Sequence, residues 1–232
     1  INAMYKNKKI LAIVPARGGS KGIKLKNLRK IKGKSLIDHV ADVIKKTKKI
    51  DYAFVSTDHN QIKKRALQTK ILKVVDRPKN LSGDNISDYK VIKHVIDNLK
   101  NKIQFDIILM LQPTSVLRKP KHINESIKLL LKKNYDAVWS INEIDSKYHP
   151  YKQLKIKKDK INFFTKKGEK IVARQQLSKT YIRNGAVYAF KKSFFEDNKL
   201  IINQNTGFYL IKEPMISIDT YEDIKLVTKL IK

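Results

Sequence analysis

The chain has 232 residues, with 51 lysines and arginines against 21 acidic residues, and its formal net charge is +30 at pH 7. A hydrophobic content of 41% excludes a disordered chain, and the length is sufficient for one α/β domain with a real core. The absence of cysteine excludes disulfides and thiolate metal sites, and no apolar run approaches the ~20 residues that cross a bilayer. The polar, lysine-rich start predicts no secretory signal peptide.

The positive charge is spread along the whole sequence and forms no basic arm or tail. Lysine far outnumbers arginine and isoleucine is abundant, a bias that an A/T-rich genome produces without any functional cause. We therefore expect no specific nucleic-acid partner and no membrane partner. The general positive field is still expected to speed the arrival of anionic substrates.

The chain opens with a predicted buried strand that leads into a glycine-rich loop. Residues 10–14 are an unbroken apolar run, typical of a parallel sheet, and Pro15 ends the strand because it has no N–H to donate. Three glycines and two cations follow within six residues: Arg17, Gly18, Gly19, Lys21 and Gly22. Inward-facing amides with two cations favour a polyphosphate, although the spacing matches neither the Walker nor the dinucleotide-binding pattern. The alternative is a plain strand-to-helix turn.

The rest of the chain alternates between predicted strands and amphipathic helices. Strands are predicted over residues 52–55, 71–75, 106–111, 137–141, 181–190 and 216–219. Helices are predicted over residues 35–44, 62–67, 91–99, 123–130 and 220–230. This order predicts an α/β fold, a three-layer nucleotide-binding (Rossmann-like) mostly parallel sheet. We expect a single domain over residues 4–232, with an exposed hairpin at 151–164 inside a protruding segment at about 143–180.

Four polar residues follow directly after predicted strands: Arg17, Ser56, Arg77 and Gln112. In open α/β sheets, ligands bind beyond the carboxyl ends of the strands. The four loops therefore predict one binding site at that edge.

The motifs along the chain resemble, in order and spacing, those of the acylneuraminate cytidylyltransferases, the CMP-sialic acid synthetase family. The longer motifs are Pro-Ala-Arg-Gly-Gly-Ser-Lys-Gly at 15–22, Val-Ser-Thr-Asp at 55–58, Leu-Gln-Pro-Thr-Ser at 111–115 and Asn-Gly-Ala-Val-Tyr at 184–188. The shorter ones are Lys-Asn at 26–27, Arg-Pro at 77–78, Arg118, Arg-Gln at 174–175 and Ile-Asp-Thr at 218–220. The resemblance implies an enzyme that joins CMP from CTP to a nonulosonic acid and releases pyrophosphate. It also implies a homodimer, and the absence of cysteine leads us to expect a cytoplasmic protein.

The resemblance further implies roles for particular residues. Arg17 and Lys21 would hold the triphosphate and, with Asp219, would be the catalytic residues; Asp219 would also bind Mg²⁺. The nucleotide side would comprise Ala16, Arg17, Gly18, Gly19, Ser20, Lys21, Asn27, Arg77, Ile86 and Asp88. The sugar side would comprise Gln112, Arg174 and Tyr188. As an aromatic in a strand, Tyr188 is equally typical of a core residue.

Two departures from the family pattern concern the metal site and the dimer. The family commonly has Asp-x-Asp where this chain has Ser217-Ile218-Asp219, so one carboxylate is missing. Strand alternation would place Ser217 and Asp219 on the same face. The lysine-rich stretch at 152–170 matches the dimer-forming insertion of the family poorly.

The sequence leaves the sugar open among neuraminic, legionaminic and pseudaminic acids. One alternative is an enzyme of the same fold that acts on another sugar, such as Kdo; the Gln-Pro-Thr-Ser motif at 112–115 favours the sialic type over it. The other alternative is a non-catalytic basic relative with a degraded metal site.

Overall fold

A computed structural model of the chain describes residues 7–197 and 199–231. Its strands are β1 (Ile10–Pro15), β2 (Lys30–Ile31), β3 (Lys34–Ser35), β4 (Tyr52–Thr57), β5 (Lys73–Asp76), β6 (Ile107–Met110), β7 (Ala137–Glu143), β8 (Leu154–Lys157), β9 (Lys160–Phe163), β10 (Tyr181–Lys191) and β11 (Thr206–Leu210). Within the described ranges, seven of them form one sheet in the order β11, β7, β10, β6, β1, β4, β5. Only β10 runs antiparallel to its neighbours β6 and β7.

The helices are α1 (Leu36–Lys46), α2 (Asn60–Gln68), α3 (Asp88–Leu99), α4 (Pro120–Lys132), α5 (Phe194–Asp197) and α6 (Tyr221–Leu230). Capping boxes begin two of them, with Ser35 as the N-cap of α1 and Thr220 as the N-cap of α6. Among the residues that the structure describes, no helix has the length and apolar character needed to cross a membrane.

Successive residues of β1 face two different cores, which explains why the run is apolar throughout. Ile10, Ala12 and Val14 pack in a cluster with α1, α2 and α4. Leu11 and Ile13 pack in a second cluster, with α3 and α5. Helices therefore cover both faces of the sheet, and the predicted three-layer α/β fold is confirmed.

One strand prediction is wrong, and one strand of the sheet was not predicted. The segment 216–219 is not a strand: its Ile218 is buried and donates one backbone bond to Thr114 O (3.2 Å), but no ladder forms. The sheet instead ends in β11, which the sequence pattern did not predict and which pairs in parallel with β7. The other predicted strands are present, with ends shifted by at most two residues.

The expected exposed hairpin is present as β8 and β9, which form a separate two-stranded sheet. Its turn residues Lys158 and Asp159 both have positive φ angles, as a two-residue type I′ turn requires. The hairpin projects apolar side chains into solvent, with Ile156 81% and Ile161 70% exposed. Within residues 7–197 and 199–231, no segment outside the hairpin buries these two side chains.

Candidate active site

A cleft of about 600 Å³ opens at the carboxyl edge of the sheet. Its walls come from the glycine loop after β1, the long loop between β5 and α3, the loop after β6 and the segment 217–219. The predicted site residues that line it are Arg17, Ser20, Lys21, Asn27, Arg77, Ile86, Asp88, Gln112 and Asp219. Ala16, Gly18, Gly19, Arg174 and Tyr188 are not among its lining residues.

One carboxylate bridges the two cations of the glycine loop. Asp84 Oδ1 lies 2.7 Å from Arg17 Nη2, and Asp84 Oδ2 lies 2.7 Å from Lys21 Nζ. Hydrogen bonds from Lys21 and Arg17 lower the pKa of Asp84 below its ordinary value. Arg17 also donates through Nη1 to Ser82 O (3.3 Å). The sequence analysis did not single out Asp84. The feature that could have identified it is an acidic residue in a long loop predicted to face a cationic site.

Two of the three loop glycines, Gly18 and Gly22, serve close packing here, whereas a Cβ at Gly19 would meet nothing within 4 Å. The Gly18 N–H donates to Asp58 Oδ1 (2.8 Å), so that amide is not directed at a ligand. A Cβ at Gly18 would lie 2.7 Å from His59 Cδ2, and one at Gly22 would lie 2.5 Å from Asp219 O. The glycine at position 22 thus lets the first loop touch the segment that carries Asp219.

Arg77 is a buried cation beneath the cleft. Its Nε donates to Ser56 Oγ (3.0 Å) and its Nη2 to Ser56 O (2.6 Å), which fixes the guanidinium at the end of β4. Burial lowers the pKa of Arg77 to about 10, so the side chain keeps its charge at neutral pH. Burial also raises the pKa of Asp88, at the start of α3, while the charges of Arg183 and Arg77 act in the opposite direction.

Gln112 rests against a glycine of β10 that no other residue could replace without strain. Gly185 has φ +69°, and a Cβ there would lie 2.3 Å from Gln112 Oε1. The strand register shifts between Arg183 and Tyr188, so Gly185 lies in a β-bulge, a feature common beside active sites.

The loop after β6 is tied to β10 by a buried arginine that had no predicted role. Arg118 donates through Nε to Ala186 O and through Nη2 to Gln112 O. Ser115 Oγ donates to Asn184 O (3.0 Å) and adds a second tie. Burial lowers the pKa of Arg118 to about 9. Gln112 is therefore held from its backbone carbonyl as well as at its side chain.

Two predicted sugar-side residues lie away from the cleft lining. Tyr188 is 2% exposed and packs edge-on against Trp139, with ring centroids 5.2 Å apart. Burial raises the pKa of its hydroxyl to about 12. Arg174 is exposed and begins a short 3₁₀ helix, Arg174–Gln176, in the protruding segment. Neither residue is among those that line the cleft, but the Tyr188 hydroxyl lies close enough to Asp88 and to the Gly185 backbone for both to influence its pKa.

The predicted metal ligand has a cation as its partner. Asp219 Oδ1 lies 2.7 Å from Nζ of Lys26, a residue that sequence reasoning used only as a motif position. Ser217 Oγ donates to Thr114 Oγ1 (3.2 Å) and also lines the cleft. Over residues 7–197 and 199–231, no three histidine or acidic side chains are grouped as a metal site. One carboxylate and one hydroxyl fit Mg²⁺ only where substrate phosphates supply further oxygens.

Comparison with known proteins agrees with the motifs. A protein-family model described as cytidylyltransferase matches residues 11–227. Post-translational flagellin modification protein B of Campylobacter coli is 29% identical, over 96% of this chain and 95% of that protein. CMP-N,N'-diacetyllegionaminic acid synthase of Legionella pneumophila is 29% identical, over 97% of each chain. N-acylneuraminate cytidylyltransferase of Streptococcus agalactiae serotype V is 28% identical over 93% of this chain, which spans about half (51%) of that relative's length.

Solved structures share the fold. CMP:2-keto-3-deoxy-manno-octonic acid synthetase complexed with CTP superposes with a TM-score of 0.72 at 16% identity, over 96% of this chain and 98% of the other. A 4-diphosphocytidyl-2C-methyl-D-erythritol synthase from Anaerococcus prevotii superposes with a TM-score of 0.65 at 18% identity, over 99% of each chain. The family match and the named relatives together confirm the resemblance inferred from the motifs.

Proposed function

Because the chain belongs to the cytidylyltransferase family, we propose that it transfers CMP from CTP to a nonulosonic acid and releases pyrophosphate. The observation that carries the proposal is one cleft lined by four cations, Arg17, Lys21, Lys26 and Arg77, together with the amide of Gln112. Two of the relatives are named for sialic-type acids, which supports a sugar of that class.

In this reaction, the anomeric hydroxyl of the sugar acid attacks the α-phosphorus of CTP. A new phosphorus–oxygen bond forms, and the bond from the α-phosphorus to pyrophosphate breaks. Negative charge grows on the phosphoryl oxygens and on the leaving group, so the enzyme acts mainly by positioning and neutralising. Arg17 and Lys21 are the proposed ligands of the triphosphate, and Lys26, which lines the same cleft, is a further proposed phosphate contact.

The proposed nucleotide contacts lie around Arg77. Arg77 is buried and fixed by Ser56, and Asp88 lies close enough to influence its pKa. Asn27 is buried with its Nδ2 bonded to Arg17 O (3.0 Å), so its placement is coupled to the backbone of the phosphate-binding loop.

Asp219 is the proposed Mg²⁺ ligand, and bound Mg²⁺ would supply Lewis-acid neutralisation of the triphosphate. The ammonium group of Lys26 already places one positive charge beside the Asp219 carboxylate, where the metal ion would bind. When substrate arrives, Asp219 would therefore give up its ion pair with Lys26 and bind Mg²⁺ instead. Metal is expected to bind poorly to the free protein and well only together with CTP.

Thermal unfolding with CTP, ATP, GTP and UTP tests nucleotide choice, because a ligand that binds the folded state raises Tm. CTP should give the largest shift, and equal shifts for all four nucleotides would contradict cytosine selectivity. Pyrophosphate release with neuraminic, legionaminic and pseudaminic acids and Kdo then identifies the sugar. Turnover of Kdo alone would favour the octonic-acid alternative, and no turnover with any acid would favour a non-catalytic relative.

Arg17→Ala tests the phosphate role directly. Loss of one donor that acts mainly in the transition state should lower kcat by about 10²–10³, by analogy with oxyanion-hole donors. A change confined to KM would indicate a contact made equally in the ground state.

The homodimer, the cytoplasmic location and the lack of a nucleic-acid partner stay predictions. The exposed Ile156 and Ile161 support a dimer through the β8–β9 hairpin. Light scattering after size exclusion measures the oligomeric state. Weak DNA binding that modest salt abolishes is the expected result, because the lysines are dispersed.

A further inference from the structure

The carboxylate of Asp84 binds Arg17 and Lys21 in the way that a phosphate group would. Each of its oxygens lies 2.7 Å from a different cation, one from the Arg17 guanidinium and one from the Lys21 ammonium. Charge-assisted bonds from these two donor types are also the usual contacts of phosphate oxygens. Arg17 makes a second contact with the loop that carries Asp84, because its Nη1 donates to Ser82 O.

The three side chains are partly open to solvent, which makes the contact replaceable. The Asp84 side chain is 41% exposed and that of Lys21 is 83% exposed. Ion pairs at such exposed positions are individually weak. A triphosphate carries several charged oxygens and brings the other contacts of CTP, so it can displace one carboxylate. A single small anion gains too little to do so.

The loop that carries Asp84 has little structure of its own to resist movement. Residues 82–87 lie between a 3₁₀ turn, Lys79–Leu81, and the start of α3, and belong to neither a helix nor a strand. A Cβ at Gly83 would contact Ile86 Cγ1 alone, at 3.8 Å, so the backbone there is loosely packed. Gly83, Asp84 and Ile86 all line the cleft.

We propose that Asp84 is a built-in placeholder for the nucleotide phosphates: it neutralises Arg17 and Lys21 in the empty cleft and leaves them when a polyphosphate binds. This inference rests on the proposed function, since it assigns the same two cations to the triphosphate. It adds that the 82–87 loop opens as the nucleotide enters. It also makes the site selective, because an anion must outcompete Asp84 at both cations.

Calorimetric titration with tripolyphosphate and with CTP, both without Mg²⁺ and at fixed ionic strength, tests the placeholder. Asp84→Asn should bind tripolyphosphate about 2- to 30-fold more tightly than wild type, the gain that corresponds to removing two exposed ion pairs. Asp84→Glu keeps the carboxylate and should return the affinity towards wild type. Asp76→Asn is the matched control, because it removes the same charge from an exposed pair with Lys63 outside the cleft.

Unchanged or weaker tripolyphosphate binding in Asp84→Asn would overturn the placeholder. Equal gains in Asp84→Asn and Asp76→Asn would also overturn it, since net charge alone would then explain the effect. The proposed function fails separately, if CTP is not turned over with any sugar acid. If the wild-type protein turns over CTP but Asp84→Asn does not bind tripolyphosphate more tightly, the placeholder is refuted and the proposed function stands.

Discussion

Replacing Gly185 by alanine should disturb both the fold and the sugar side of the cleft. The residue has φ +69°, a conformation that costs an L-residue about 1–2 kcal/mol. The new Cβ would also lie 2.3 Å from Gln112 Oε1 and 3.0 Å from Ser115 Oγ, so the Gln112 side chain must rotate away. Forcing that side chain off its rotamer adds about 0.5–1.5 kcal/mol.

Gly33→Ala is the matched control for the backbone cost. Gly33 lies in the turn between β2 and β3 with φ +81°, and a Cβ there would meet nothing within 4 Å. We expect a loss of unfolding free energy of about 1–2 kcal/mol for Gly33→Ala and of about 1.5–3.5 kcal/mol for Gly185→Ala. Each kcal/mol corresponds to a Tm decrease of about 2–4 °C in a chain of this size.

Kinetics distinguish the two variants further. Gly185→Ala should raise the KM for the sugar acid and leave the KM for CTP near the wild-type value, because Gln112 is on the proposed sugar side. Gly33→Ala should change neither constant. Equal destabilisation of both variants, together with an unchanged sugar-acid KM in Gly185→Ala, would refute the contact between Gly185 and Gln112.

Three further predictions concern the metal, an ion pair between a buried carboxylate and an exposed arginine, and a helix cap. Ser217→Asp should lower the Mg²⁺ concentration for half-maximal pyrophosphate release, since it adds a carboxylate beside Asp219; an unchanged requirement places the metal elsewhere. Burial raises the pKa of Asp38, but Arg65 and Ser35 bond to it and hold the net value below 3.8. Its stabilising effect is therefore present above that pH and lost as the pH falls through the folded-state pKa, so urea unfolding should show Asp38→Asn less stable than wild type at pH 7 but not in strong acid. Thr220→Ala should lower the unfolding free energy by about 1 kcal/mol in the same assay, and a neutral effect would refute the cap.

The parallel core of the fold was predictable because its strands are buried on both faces. The apolar run of β1 needs no tertiary information, since each residue must meet one of two cores. β11 was not predictable in the same way. Its Gly207 is a poor strand residue, and it is required because a Cβ there would lie 2.3 Å from the Tyr135 ring.

The error at 216–219 has a physical cause. Ile216 and Ile218 alternate with polar residues as strand residues do, but Ile218 packs in a small cluster with α6 and the segment has no ladder partner. The expected same-face geometry of Ser217 and Asp219 rested on that strand. The two residues still line one cleft, held there by Thr114 and Lys26 instead.

The site was predictable where a residue follows a strand and unpredictable where its role depends on distant contacts. Arg17 and Gln112 follow β1 and β6 and line the cleft as topology requires. Asp84 and Arg118 act through bonds to Lys21 and Ala186, at separations that no local pattern encodes.

The ion pair between Lys26 and Asp219 joins positions 193 residues apart. Strands β1, β4, β5 and β6 precede Asp219 in the chain, so a ribosome synthesises them before the last wall of the cleft exists. During synthesis, these four strands are therefore able to pair before the segment that carries Asp219 docks against Gly22.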